Sequence, residues 1–201
     1  MLSYEEYLQK EIEEGKFDFD DKYDLAIDLG SNKGIVSKHL LNFFNKVIAV
    51  EADPSFKDYY KDTNNIIFEN SAIVEDFYED SNITFYSTGK DNGSIFQVEN
   101  SKPITVKALK VKDFVNKYNL KEVDFLKVDI EGSEVTVLPN LLAYIEVKDL
   151  FIETTNLDFF FHLIKNFNFK ILKFYSYPNL SFKERTNFLG FHIYEAYLTK
   201  R

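Results

Sequence analysis

Carboxylates recur at the ends of apolar runs in this sequence. Asp28 follows Leu25-Ala26-Ile27, Glu51 follows Val47-Ile48-Ala49-Val50, Asp129 and Glu131 close the stretch that starts at Val123, and Glu153 follows Leu150-Phe151-Ile152. If those runs are neighbouring strands, the acids converge on one sheet edge. Grouped carboxylates repel one another when ionised, which raises the pKa of one or draws a cation between them. Either outcome helps to take a proton from a hydroxyl, and a positioned base contributes about 10²–10⁴-fold to such a step. Asp129, Glu131 and Glu153 are therefore the candidate catalytic acids. Lys127 either neutralises Asp129 or acts in catalysis itself. No metal ligand is assigned: oxygen ligands would select Mg²⁺ or Ca²⁺ rather than zinc, but Glu131 can instead cap the helix that begins near Ser133. Cysteine is absent, which excludes a thiolate nucleophile, a disulfide scaffold and a Cys-ligated zinc.

A glycine turn follows the first of these acids, reading Asp28-Leu29-Gly30-Ser31-Asn32-Lys33-Gly34. Strand, turn and helix in that order form the ligand crevice of an open α/β sheet. A dinucleotide turn reads G-x-G-x-x-G, and its middle glycine lets the backbone approach a pyrophosphate. Here that glycine is missing, and Asp28 would oppose a dianion. The same carboxylate suits a cation, so S-adenosylmethionine, with an ammonium and no phosphate, fits the turn better than NAD. Twenty-three positions on, Glu51 ends the second apolar run, where it can accept both ribose hydroxyls.

Together with Val50-Glu51-Ala52-Asp53-Pro54 and Asp124-Phe125-Leu126-Lys127-Val128-Asp129-Ile130-Glu131-Gly132-Ser133-Glu134, this turn resembles the FkbM family of S-adenosylmethionine-dependent methyltransferases, from Tyr23 to about Glu153. The resemblance implies a class I Rossmann-like α/β fold: a mostly parallel sheet with an antiparallel strand near the C-terminus and helices on both faces. It implies S-adenosylmethionine as cofactor, held by Asp28, Gly30, Ser31, Asn32 and Gly34 in the turn and by Glu51 and Ala52 after the second strand. Ser71 and Ala72 would border the adenine, and Asp129 the methionine end. It also implies a hydroxyl on a small molecule or glycan as acceptor, a saccharide above all. Lys33 departs from the family's turn, which usually carries an apolar residue there.

The formal charge is −9 with no Lys/Arg-rich patch, which makes nucleic acid a poor partner. No stretch reaches the ~18 apolar residues of a membrane span, and Met1 leads directly into charged sequence, so a cytoplasmic protein without membrane insertion is expected. The 21 Phe and 13 Tyr, beside many Lys and Asn, read as compositional bias.

The elements needed to position the acids can be read from periodicity. One domain is expected over 1–201, with an N-terminal helix and lead-in at 1–20 and a hairpin-like insertion at 81–100. Ser3-Tyr4-Glu5-Glu6 has capping-box spacing and Gly15 a stop, which predicts the first helix. A helix over Ile35–Phe44 is predicted from Val36, Leu40, Phe43 and Phe44, with His39 beside the stripe as packing. Ile66–Glu69 should be the third strand. The runs Ile83–Tyr86 and Ile95–Val98 flank Asn92-Gly93 and predict a hairpin or looped insertion, which either helps to wall the substrate site or stands as an exposed arm. Ile104–Ala108 extends into a helix over Val111–Tyr118, then the central strand Val123–Ile130. A helix from Glu134, kinked or split at Pro139, leads to the strand ending at Glu153. Phe159-Phe160-Phe161 belongs to a helix ending near Asn166. Strands Phe169–Tyr175 and Gly190–Leu198, joined through Pro178 and Asn187, close the sheet.

Two other classes remain open: an NAD-binding Rossmann oxidoreductase, disfavoured by the absent glycine, and a non-catalytic methyltransferase-fold module. Transfer to a nucleobase amine is disfavoured because Asp129-Ile130-Glu131-Gly132 stands where such enzymes carry a D/N-P-P-Y/F motif.

Overall fold

The computed structural model describes residues 4–89, 93–97, 100–175 and 194–201. Helix α1 (Tyr4–Glu13) is followed by β1 (Tyr23–Leu29), α2 (Ile35–Leu40), β2 (Phe44–Glu51), a 3₁₀ segment (Pro54–Tyr60) and β3 (Ile66–Asn70). Short strands β4 (Ala72–Val74), β5 (Asn82–Ser87) and β6 (Lys102–Lys110) come next. Then α3 (Val111–Tyr118), β7 (Glu122–Val128), α4 (Glu134–Tyr144), β8 (Glu146–Thr154), α5 (Leu157–Phe167), β9 (Lys170–Tyr175) and β10 (Tyr194–Thr199) complete the chain. Ser3, Pro178, Asn187, the tip of the expected hairpin and the start of its last expected strand lie outside the described residues.

The main sheet has seven strands in the order β3-β2-β1-β7-β8-β10-β9. β3, β2, β1, β7 and β8 run parallel, while β10 is antiparallel to both of its neighbours. The order reverses between β1 and β7, so their carboxyl ends open the crevice where an α/β sheet binds its ligand. Parallel strands covered on both sides must be apolar on both sides. Ile27, Ile48, Val128, Leu150 and Leu198 pack under α3, α4 and α5. Ala26, Val47, Phe125, Phe151 and Tyr197 face α1, α2 and the lead-in. On that second face Phe125 stacks on Tyr197, with centroids 5.8 Å apart, and Phe19 of the lead-in stands edge-on to Phe125 at 5.0 Å. Many of the aromatics are thus core material.

Several boundaries differ from expectation. α2 stops at Leu40, and Phe44 begins β2, where it is buried against Phe125. The central strand ends at Val128, with Asp129 and Ile130 in the turn beyond it. α4 is continuous through Pro139, which leaves only the Val135 carbonyl without its helical donor. Within the insertion β5 pairs antiparallel with β6, and β4 runs parallel to β6 in a separate three-stranded sheet. Of the run 95–98, Ile95, Phe96 and Gln97 are irregular, and Ser94 alone bridges back to Tyr86. Among the described residues no helix is long and apolar enough to cross a membrane.

Phe125 is wholly buried at the centre of the aromatic layer. Phe125→Ala should lower the free energy of unfolding by about 3–5 kcal/mol, whereas Phe161→Ala, at an exposed position on α5, should stay within about 0.5 kcal/mol of wild type. Urea denaturation of the two variants checks this.

Candidate functional site

β1 and β7 are neighbours in a register that sets Asp28 beside Lys127 and Leu29 beside Val128. Past the strand ends the two chains stay in contact: Asp129 N–H donates to Leu29 O at 3.0 Å. Gly30, at φ +79°, comes so close to the Asp129 carbonyl that a Cβ would overlap its oxygen. The residue must therefore be glycine both for its dihedral and for this approach. Gly30 and Ser31 N–H both donate to Val50 O at 3.0 Å, which ties the turn to β2 as well.

Lys127 is buried at the centre of this junction. Its Nζ lies 3.3 Å from Asp28 Oδ1, 3.2 Å from Asp129 Oδ2 and 3.3 Å from Gly30 O. Burial lowers the lysine pKa, but the two carboxylates outweigh it and the net shift is upward. This favours the charged ammonium, and the geometry places Lys127 as counter-ion to both carboxylates. Asp28 is fully buried: Ser37 Oγ donates to its Oδ2 at 2.6 Å, and the cation beside its Oδ1 is Lys127. The place read from the sequence as receiving a ligand's ammonium is thus held by the chain's own lysine.

Glu51 ends β2 and accepts from Asn32 N–H at 2.9 Å and from Asp53 N–H at 2.7 Å, one bond on each oxygen. Burial pushes its carboxyl up to about 7, against the pull of those two N–H groups. Each oxygen keeps a lone pair, so the carboxylate braces the turn and still has acceptor capacity. The Tyr60 hydroxyl lies 2.7 Å from Ser31 Oγ and 2.9 Å from Asn32 O, a brace that the sequence did not reveal. Its ring stands over Gly34 and stacks on Phe68. A crevice runs along Asp28, Gly30, Ser31, Asn32 and Lys127, and Glu5 and Leu8 of α1 form its outer wall. Lys33 pairs with Glu5, so the residue that departs from the family turn is bonded to that wall. Ala52 and Ala72 meet at the small sheet, packed with Phe85 and Val106, and buried Ser71 donates to Glu69 Oε1 at 3.2 Å. All three lie at the carboxyl ends of β2 and β3.

The acids read from the sequence come together on the other side of Lys127. Carboxylate oxygens of Asp129, Glu131 and Glu153 all lie within 4.8 Å of one another. Glu131 has φ +51° and Gly132 φ +98°, a left-handed pair that turns the chain back after β7. A non-glycine residue there is strained, and such strain collects at working sites. Burial, then Asp129 and Glu134, pushes the Glu131 carboxyl up to about 8, while Lys127 opposes. Burial, then Asp129, Glu195 and Glu131, raises Glu153 well above the usual carboxylate range. Three carboxylates this close are also the kind of oxygen-ligand set that could hold a divalent cation.

Several contributors were not legible in the sequence. Glu195 on β10 is in register with Glu153, and Lys16 of the lead-in bonds it at 2.7 Å. Glu134, rather than Glu131, serves the helix start: it accepts from Gly132 N–H and from Thr154 Oγ1, both at 2.8 Å. The two histidines that could have competed for a catalytic role stand apart from these acids. His39 bonds Asp18 and packs on Phe43, and His162 bonds Asn166 on the exposed face of α5.

Residues 28–175 match the family described as Methyltransferase FkbM domain. No curated protein sequence matches the chain. Among solved structures, an rRNA methylase from Streptococcus thermophilus is similar with a TM-score of 0.51 and 11% identity, over 90% of this chain and 88% of that one. TrmK of M. capricolum, in complex with S-adenosyl-homocysteine, gives 0.54 and 11% over 100% and 70%. Precorrin-6y C5,15-methyltransferase from Geobacter metallireducens gives 0.50 and 10% over 99% and 90%. At such identities the likeness is one of fold.

Lys127→Met would leave buried Asp28 and half-buried Asp129 without their cation. It should cost about 3–5 kcal/mol at pH 7.5. The raised lysine pKa stabilises the wild type fully below the ordinary value of 10.5 and is lost only as pH rises through the folded value. That contribution is therefore fully present at pH 7.5, and urea midpoints of the variant and wild type at that pH measure its loss.

Proposed function

The chain belongs to the FkbM methyltransferase family, and on that premise we propose that it transfers a methyl group from S-adenosylmethionine to a hydroxyl of a saccharide or another neutral small-molecule acceptor. Family and fold are those of S-adenosylmethionine-dependent methyltransferases. The observation that carries the acceptor reading is the cluster of Asp129, Glu131 and Glu153 carboxylates at the carboxyl edge of the sheet.

The residues present fit this cofactor. The Gly30–Gly34 turn lines a small crevice with Ser31 and Asn32, and Glu51 keeps acceptor capacity for ribose hydroxyls. When bound, S-adenosylmethionine supplies an activated methyl on a sulfonium that departs neutral. The protein needs no acid for the leaving group, and its tasks are alignment and removal of the acceptor proton. Glu131 is the proposed base, with burial, Asp129 and Glu134 raising its pKa to about 8. Lys127 positions Asp129 and the turn by its charge.

RNA is the competing acceptor, since two of the similar structures are an rRNA methylase and TrmK. Electrostatics at the site favour the neutral acceptor. Lys16, Lys33 and Lys127 each bond carboxylates, and the catalytic rim is acidic, so phosphates would meet repulsion there.

Calorimetry should show binding of S-adenosylhomocysteine and no comparable binding of NAD. Glu51→Gln should weaken that binding about tenfold, the worth of one charge-assisted hydrogen bond. Wild-type affinity should fall as pH drops below about 7, where Glu51 takes up a proton. Equal affinity for the variant would remove Glu51 from the ribose site. Labelled-methyl transfer should rise with pH through about 8 as Glu131 ionises. Glu131→Gln should lose that limb together with most of the rate while keeping the affinity for S-adenosylhomocysteine. Transfer at the wild-type rate would place the base elsewhere.

A further inference from the structure

The described part of the segment between β5 and β6, residues 93–97, is fastened to the turn that carries Glu131. Tyr86 and Ser94 exchange backbone hydrogen bonds of 2.7 and 3.3 Å. The ring of Phe85 lies where a Cβ on residue 93 would stand, 2.6 Å from that position. Ser94 is buried, and its hydroxyl donates to the Glu131 carbonyl at 2.9 Å while accepting from Phe96 N–H at 3.1 Å. These bonds fix where Phe96 goes. Its ring rests on Gly132, so near that a Cβ there would lie 3.1 Å from Cε2, yet the residue keeps 49% of its surface exposed. A large apolar ring is thus held, half bare, one residue from the proposed base.

We propose that Phe96 is the platform for the acceptor, and that it takes the C–H face of a neutral sugar ring so that one hydroxyl reaches Asp129, Glu131 and Glu153. This rests on the methyltransferase reading above. A pyranose has two unlike aspects, an apolar face of C–H groups and a rim of hydroxyls. The site offers a partner for each: an exposed aromatic face, and carboxylates that accept hydroxyl protons. A nucleobase would stack on the same ring, but its phosphate would be brought toward the acidic rim. Gly132 leaves room for the edge of the ring against the turn, and Ser94 bonds the backbone of Phe96.

The test uses protein saturated with S-adenosylhomocysteine, as wild type, Phe96→Ala and Phe96→Tyr. Saturation-transfer NMR is recorded with the methyl glycosides of glucose, mannose and galactose, and with uridine 5′-monophosphate. At least one glycoside should receive saturation at its ring C–H protons from wild type, about fivefold less from Phe96→Ala, and as much from Phe96→Tyr. Uridine 5′-monophosphate should receive none, and calorimetric affinity for S-adenosylhomocysteine should be the same in all three proteins. Silence of every glycoside on the loaded wild type, equal saturation from Phe96→Ala, or saturation of the nucleotide that depends on Phe96 each overturns the proposal. A wild-type protein that does not bind S-adenosylhomocysteine defeats the methyltransferase reading and this proposal with it, so the two failures are told apart.

Discussion

The ammonium of Lys127, buried between Asp28 and Asp129, is the interaction on which the rest of the site depends. It joins the ends of the two strands that flank the topological switch, and it holds the carbonyl of Gly30 in the same grip. Burying an ion is costly, and the pair regains that cost only through close opposite charges. Here one cation meets two anions and a carbonyl dipole. The geometry permits a single arrangement, because Gly30 has no room for a side chain against Asp129. Charge pairing and close backbone approach therefore specify the same turn.

Beyond that junction the site runs against stability. Glu51, Glu131, Glu134 and Glu153 all hold their protons more tightly than free carboxyls do, with burial the leading cause in each case. The native state then binds more protons than the unfolded chain, so these groups make stability fall as pH rises from the ordinary carboxyl value of 4.5 upward. The surrounding structure restrains this penalty with specific donors. Thr154 and Gly132 serve Glu134, the backbone of Asn32 and Asp53 serves Glu51, and Lys16 neutralises the Glu195 that faces Glu153 across β10.

Elements at opposite ends of the sequence supply these restraints. The lead-in brings Lys16 and the aromatic pair Phe17 and Phe19 onto the sheet face formed by Phe125, Phe151 and Tyr197. α1 then stands over the crevice, where Glu5 bonds Lys33.

The sequence by itself determined the strand–turn–helix units, their order and the convergence of acids at one edge. Those features are local: an apolar run, a glycine turn and a terminal carboxylate are neighbours along the chain, and parallel strands impose the rest. Partnership was decided only by tertiary structure. The run 95–98 has the composition of a strand, yet β5 pairs with β6, because alternation marks a strand without naming its neighbour. Phe44 suits a helix stripe and a buried strand equally, and its place under Phe125 settled the matter. Lys127 and Asp28 are far apart in sequence, so the lysine's role as counter-ion followed from the register of β1 against β7. The left-handed turn at Glu131 and the exposed ring of Phe96 set upon Gly132 likewise depend on non-local contacts, which residue type and spacing do not encode.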